Sequence, residues 1–313
     1  MLAIFIAYIL DLSLVEPQWM PHPIRGLAWF VKNLENFLRK KIRNLKIAGF
    51  LLTVFTLGIV YLIAKCLILG FSTIHPVLGT FVSIALIYFA FSMKDLKSET
   101  AKIMEWLEKD DLKNARTQVS HIVGRDTKDL DSDQLIRASV ESVAGSAVNK
   151  VISVLFYVFI GGPVLLWVYK AVEALDSAVS HKNIYYKDIG WFSAKLEDIF
   201  NYIPSRISLF LIPAAAYYCK KGFFSSFYTA LKDGRNNPDA NSAIPQAAFA
   251  GALKVQLGGL NYYEGLPVHK PYLGQPVNHL AVNHIEESVR LAYVCSVILI
   301  TIMIIVNYIW NIL

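Results

Sequence analysis

The chain has 313 residues, of which 55% are hydrophobic and only 17% charged, with a formal net charge of +6. A mean hydropathy of +0.44 is too apolar for an ordinary soluble domain of this length. The modest positive charge clusters beside apolar segments, which suits anionic lipid headgroups or an anionic substrate and argues against nucleic acid as a partner.

In chain order, Met1–Leu10 is an apolar run ending at Asp11. It has neither a basic start nor a small-residue cleavage site, so it reads as a short or tilted anchor helix rather than a signal peptide. Glu16-Pro17 follows, then His22 between two prolines, a rigid turn. Arg39, Lys40, Lys41, Arg43 and Lys46 crowd the entrance to Ile47–Gly70, an apolar segment long enough to span a bilayer, with Lys65 near its end to snorkel. That basic cluster places the entrance in the cytoplasm. Pro76–Ser92 is a shorter span that returns the chain. Met93–Lys150, rich in Lys, Glu and Asp, reads as a cytoplasmic helical segment, and SETAKIMEWLEKDDLKNARTQVSHIV within it has the spacing of an amphipathic helix pair. Residues 220–290 form a second cytoplasmic, motif-bearing segment. Leu291–Leu313 is an uncharged final span.

Two further apolar segments are interrupted. Val151–Val172 carries Gly161-Gly162-Pro163, and Ile203–Cys219 carries Pro204, Arg206 and Pro213. If both cross, the polar motifs are split between the two sides of the membrane. If neither fully crosses, Gly145, Asn183 and Asn237 all face the cytoplasm. The second arrangement is favoured, because Gly-Gly-Pro and Pro-x-Arg disfavour a straight lipid-exposed helix, while broken helices are tolerated inside protein. The expected fold is a single all-α unit over 1–313, a polytopic integral membrane protein with broken or re-entrant helices and cytoplasmic helical segments. Cys66, Cys219 and Cys295 have no metal or disulfide spacing and read as buried small hydrophobes.

Polar groups beside or inside a membrane are costly and concentrate where a site needs them. His121, Arg125 and Asp126 offer a cationic fork beside a carboxylate, suited to a phosphate or a metal–phosphate pair; a helix end with a local salt bridge is the bland alternative. Arg137 and Glu141, four apart, should pair on one helix face. Lys170, Glu173 and Asp176 share a helix face, either as a buried ion network or as a metal and phosphate site. Glu197 and Asp198 add carboxylates, followed by Asn201 and Arg206. Carboxylates facing a cytoplasmic cavity are a common way to hold Mg²⁺ with a nucleotide. Asn236, Asn237, Asp239 and Asn241 supply turns and donors, Ala247–Ala252 permits close helix packing, and Gly258-Gly259 with Tyr262-Tyr263 looks like a turn with aromatic walls. No P-loop, GxGxxG, HExxH or CxxC is present.

These blocks, DLSLVEPQWMPHPIR, VSHIVGRDT, IRASVES, YKAVEALDS, GWFSAKLEDIFNYIPSR, AAFAGALKVQLGGLNYYEG and KPYLG, resemble in content and order the cobalamin biosynthesis CobD/CbiB family, the adenosylcobinamide-phosphate synthases. The likeness runs from about Asp11 to Gly274. It implies a multi-pass enzyme of the cell membrane with its active site facing the cytoplasm. The implied reaction is an ATP-dependent amide ligation of adenosylcobyric acid, a corrinoid, with (R)-1-amino-2-propanol phosphate or ethanolamine phosphate. ATP and Mg²⁺ are the implied co-substrate and metal, and lipid and other cobalamin-pathway membrane enzymes the implied partners. His121, Glu141, Asp176 and Asp198 are then the catalytic candidates, with Asp176 and Asp198 as metal ligands. Arg125, Asp126, Lys170, Asn183, Asn201, Arg206 and Asn241 are candidates for holding substrate or phosphate.

The chain departs from the family pattern at several places, with the losses concentrated in one polar motif. Gly145, Ser146, Asn149 and Lys150 stand where the family has Glu, Asn, Asp and Gly, and Glu173 stands for an Asn. Asn237-Pro238-Asp239-Ala240-Asn241 replaces His-Pro-Ser-Pro-Asn, and Glu16-Pro17 replaces Asp-Pro. A rival reading follows: a catalytically altered or inactive membrane relative that binds a corrinoid or scaffolds other pathway enzymes.

Overall fold

A computed structural model describes residues 1–14, 23–179, 185–235, 237 and 239–312. Apolar length and capping set its helices. Helix α1 (Leu2–Ser13) is the short N-terminal run, and α2 (Pro23–Lys41) buries Leu27, Val31, Glu35 and Leu38, one face at helical spacing. Asn44 caps α3 (Leu45–Ile74) by accepting from the backbone N–H groups of Lys46 and Ile47 at 3.0 and 3.3 Å. The chain turns extended at His75, whose Nδ1 caps α4 (Pro76–Tyr88), with Pro76 at the first position where a missing N–H costs nothing.

Helices α5 (Met93–Glu108) and α6 (Leu112–Ser120) follow. Asp111 caps α6, and hydrogen bonds from the Asn114 backbone and side chain hold its carboxyl below the usual range. Asp131 and Gln134 form a reciprocal capping box at the start of α7 (Ser132–Ser146), which runs through a π-helical turn, Ala147–Ile152, into α8 (Ser153–Val179). Gly161 and Gly162 kink α8; Gly162 has φ 64°, open to glycine and strained for other residues. By contrast α9 (Trp191–Tyr218) continues through both Pro204 and Pro213. Helix α10 (Phe223–Thr229), a second π-helical turn at Ala230–Gly234, α11 (Ala240–Leu253), strands β1 (Leu257–Tyr263) and β2 (Leu266–Leu273), and α12 (Asn283–Ile312) complete the chain.

Among the described residues five helical stretches are long and apolar enough to cross a membrane: Leu45–Ile74, Pro76–Glu108 (α4 and α5, taken across the turn that separates them), Ser132–Val179, Trp191–Tyr218 and Asn283–Ile312. The chain is an all-α polytopic membrane protein, with one small hairpin. All three spans predicted without interruption are present. Both interrupted segments also lie in helices of sufficient length, so length and composition admit them as crossings too. Sidedness decides between the two arrangements. Single cysteines at 145, 183 and 237, with the three native ones removed, should all resist an impermeant thiol reagent added outside. Labelling at 183 alone would mean that both interrupted segments cross.

Two compact units emerge. The first comprises Met1–Ser92, Ser153–Tyr202 and Val306–Leu313. Its core joins Leu27 and Val31 of α2, Ala48 and Leu52 of α3, Ala171 and Leu175 of α8, and Ile189. A side chain at Gly49 would collide with the Ile189 carbonyl, so this approach depends on glycine. Trp167 Nε1 donates to the Leu86 carbonyl at 2.9 Å and ties α8 to α4.

The second unit comprises Met93–Ile152 and Ile203–Ile305. The expected amphipathic pair is α5 and α6, with Leu96, Ile103 and Leu107 of α5 buried. Ser226 Oγ donates to the Ala248 carbonyl at 2.8 Å where the small residues of α11 meet α10, as the Ala247–Ala252 run predicts. The Gly258–Tyr263 stretch is not merely a turn. β1 and β2 form an antiparallel hairpin whose two turn residues, Glu264 and Gly265, have φ 52° and 78°. Positive φ at both central residues matches strand twist in tight hairpins. All three cysteines are free, but only Cys295 is buried; Cys219 is half-buried and Cys66 is exposed on α3.

Candidate functional site

In the second unit the HIVGRD motif is built around the hairpin. Asp126 brackets its turn: the backbone N–H donates to the Tyr262 carbonyl at 2.8 Å, and Oδ2 accepts from the Gly265 N–H at 2.7 Å. Arg125 is buried. Its Nη2 lies 2.9 Å from Glu141 Oε2, and Nη1 donates to Asn261 Oδ1. The other Glu141 oxygen accepts from the Gly258 N–H at 2.7 Å. Gly258 and Gly259 have φ 87° and 84°, and the strand register slips between Leu257 and Gly259. This glycine bulge turns the Gly258 N–H toward Glu141 rather than into the ladder.

The sequence pairs Arg137 with Glu141 by helical spacing; the structure corrects this. Glu141 binds Arg125, and Arg137 Nη2 instead reaches the Leu260 carbonyl at 3.3 Å. The buried guanidinium of Arg125 is the stronger claimant on Glu141, since an i,i+4 helix pair contributes only about 0.2–0.5 kcal/mol whereas stranding a buried charge is costly. Both carboxylate oxygens of Glu141 are therefore engaged. By contrast, the N–H groups at Nε of Arg125 and Nε of Arg137 are buried and find no acceptor among the described residues.

Also in the second unit, Arg206 Nη1 donates to Asn241 Oδ1, and Ser205 Oγ donates to the Asn241 carbonyl at 3.0 Å. Asn241 occupies the first turn of α11, which Asp239 caps. His121 stands exposed at the C-terminal end of α6, and its side chain forms no hydrogen bond or ion pair with the described residues.

The first unit holds a separate polar cluster between α8 and α9. Asn201 is buried; its Oδ1 accepts from Ser153 Oγ at 2.9 Å and Tyr169 Oη at 3.2 Å, and its amide donates to Glu197. The Tyr169 ring stacks on Tyr157 with centroids 4.9 Å apart. Lys170 is buried and pairs with Glu173, one of the two outcomes its spacing allows. Asp176 is half-buried on the same helix, and Asp198 is exposed with Lys195 Nζ at 3.9 Å. Asn183 lies outside the described residues, as do Glu16, Pro17 and His22. No group of three or more His, Cys, Asp and Glu side chains forms a cation site among the described residues.

The predicted residues thus gather into two sets, Arg125, Asp126 and Glu141, and Arg206 and Asn241, while Lys170 and Asn201 each have partners of their own in the first unit. Sequence reasoning missed Asn261, Tyr169 and Ser153, and read Gly258 only as part of a turn. Asn261 was signalled by that glycine pair next to a strand-like LNYY. Tyr169 and Ser153 carry no local signal, because their partner is on another helix.

The description "CobD/Cbib protein" matches residues 4–292. The chain belongs to the CobD/CbiB family. The cobalamin biosynthesis protein CobD of Clostridium perfringens is 42% identical over 297 residues, covering 92% of each chain. That of Geobacter metallireducens is 39% identical, covering 92% of this chain and 90% of its own. That of Listeria monocytogenes is 38% identical, covering 93% of each. No solved structure matches. Likeness over nearly the whole length gives this CobD/CbiB chain a role in cobalamin biosynthesis.

Proposed function

We propose that the chain joins the carboxylate of adenosylcobyric acid to the amine of (R)-1-amino-2-propanol phosphate or ethanolamine phosphate, using ATP and Mg²⁺ at the cytoplasmic face of the cell membrane. The observation that carries this reading is the pair of buried guanidinium donors at Arg125 and Arg137 with no acceptor of their own. A buried donor left unsatisfied costs about 1–3 kcal/mol. An oxyanion arriving with the substrate satisfies both, and the amine substrate carries a phosphate. The Arg206–Asn241 pair offers a second place for such a group.

A carboxylate is a poor acyl donor. In the proposed reaction one of its oxygens leaves with a phosphoryl group of ATP, the amide C–N bond forms, and the ammonium proton passes to a base. His121, exposed and accessible, is a candidate for that base. Mg²⁺ commonly rests on one or two carboxylates plus substrate phosphates. Asp176 and Asp198 are the carboxylates that would hold it. Mg²⁺ there would offset the phosphate charge that develops.

The rival reading has its own observation: the altered Gly145-Ser146 and Asn149-Lys150 positions lie at the end of α7 and in its π-helical turn, and π-turns are frequent at functional sites. Phosphate release from ATP by purified protein in lipid, with all substrates and Mg²⁺ present, separates the two. The ligase releases phosphate only when corrinoid and aminoalcohol phosphate are both present. Corrinoid binding without ATP turnover would favour the altered relative. Its repair is sterically open at one point, since a side chain at Gly145 meets nothing within 4 Å.

A further inference from the structure

We propose that an open cleft in the second unit, lined partly by the AAFAGALKVQLGGLNYYEG and KPYLG blocks but by none of the candidate site residues above, binds a nucleoside polyphosphate; the choice of nucleotide rests on the ligase reading. The cleft has a volume of about 510 Å³, within the range of small-molecule sites, roughly 300–1,000 Å³. Tyr228, Lys232, Asp233, Lys254, Tyr272 and Gln275 line it. Two ammonium groups come from different elements: Lys232 from the π-helical turn and Lys254 from the end of α11. Asp233 is the acid among these lining residues, and its Oδ2 is fixed by accepting from the Gly274 N–H at 2.9 Å. The wall is therefore net cationic, with its carboxylate already engaged.

Three independent features show that the cleft is built. Lys232 and Asp233 lie on a π-helical turn, a distortion that recurs at functional sites. Lys254 adopts φ 58°, ψ 39°, a left-handed conformation usually left to glycine or asparagine at a helix end. Side chains added at Gly251 or Gly274 would strike neighbouring backbone, so the floor depends on glycine. Tyr228 and Tyr272 are exposed at 64% and 53%; Lys232 Nζ lies 6.0 Å from the Tyr228 ring centroid and His269 meets the Tyr272 ring at a near-right angle, so each ring keeps exposed area for a planar base while the lysines suit its phosphates. A lone inorganic phosphate would use the lysines and leave the rings idle.

The test is binding of N-methylanthraniloyl-ATP, followed by fluorescence, to the full chain in phosphatidylcholine nanodiscs. Lys232→Ala and Lys254→Gly should each weaken binding about tenfold or more, the usual scale of a lost charge-assisted contact. Lys254→Gly also relaxes the backbone, so its melting temperature should not fall. Lys232→Arg should retain binding. Unlabelled ATP should displace the probe. Unchanged affinity in both folded variants, or displacement by phosphatidylglycerol but not by ATP, would overturn the proposal, the latter result marking a lipid headgroup site. Lost binding in the variants of a chain that forms no amide would leave the cleft standing and the ligase refuted; an active ligase with unaffected variants would do the reverse.

Discussion

Glu141→Ala is expected to destabilise the second unit by about 3–5 kcal/mol, the usual result of removing one partner of a buried ion pair. The loss has two parts. Arg125, which is 4% exposed at its side chain, keeps its charge without a counterion, and the Gly258 N–H at the bulge loses its acceptor. Glu141→Gln keeps an oxygen for Gly258 but still strands the arginine, so it should fall between the two. Pairing Arg125→Met with Glu141→Leu should recover part of the loss, because no unpaired charge remains buried. Thermal unfolding in one detergent checks the series. If Glu141→Ala melted like the parent while turnover collapsed, Glu141 would be a catalytic group and not the anchor of the hairpin.

Asp176→Asn is expected to lower turnover roughly a hundredfold to a thousandfold, the scale of a lost transition-state charge contact, about 2.7–4 kcal/mol. The amide preserves shape and hydrogen-bonding capacity, so yield and melting temperature should stay near those of the parent. The Mg²⁺ requirement should shift to higher concentration. A stable variant with unchanged turnover and unchanged Mg²⁺ dependence would remove Asp176 from the site. A fall in melting temperature with normal specific activity would assign it to the ion network of α8 instead.

The spans were legible because lipid leaves little freedom: α3 and α12 carry long apolar runs, and the α5–α6 pair shows its period directly. The hairpin was not. Gly258-Gly259 interrupts the alternation of β1, and Pro267 and Pro271 argue against a strand at β2, as proline does away from an edge. The Glu264-Gly265 turn was the signal that outweighed them. The polar sites were half visible. Helical spacing joined Lys170 to Glu173 correctly and Arg137 to Glu141 incorrectly, because it ranks only partners on the same helix. Asn201 stood out in the sequence, but its bonds to Ser153 and Tyr169 depend on how α8 meets α9. The lysine-lined cleft was not legible as a site: Lys254 and Tyr272 stand in quoted blocks, but Tyr228, Lys232 and Asp233 do not, and only the fold brings them to one wall.

The central claim is that this chain makes an amide. Mass spectrometry of the corrinoid after incubation with purified protein in lipid, ATP, Mg²⁺, adenosylcobyric acid and an aminoalcohol phosphate tests it directly. The predicted result is a new corrinoid heavier by the aminoalcohol phosphate less one water, absent when ATP is withheld. Unchanged adenosylcobyric acid, beside an active relative from the same family assayed in parallel, would contradict it. Appearance of the product only after Gly145→Glu, Ser146→Asn, Asn149→Asp and Lys150→Gly are introduced together would show that this member has lost the activity its fold still accommodates.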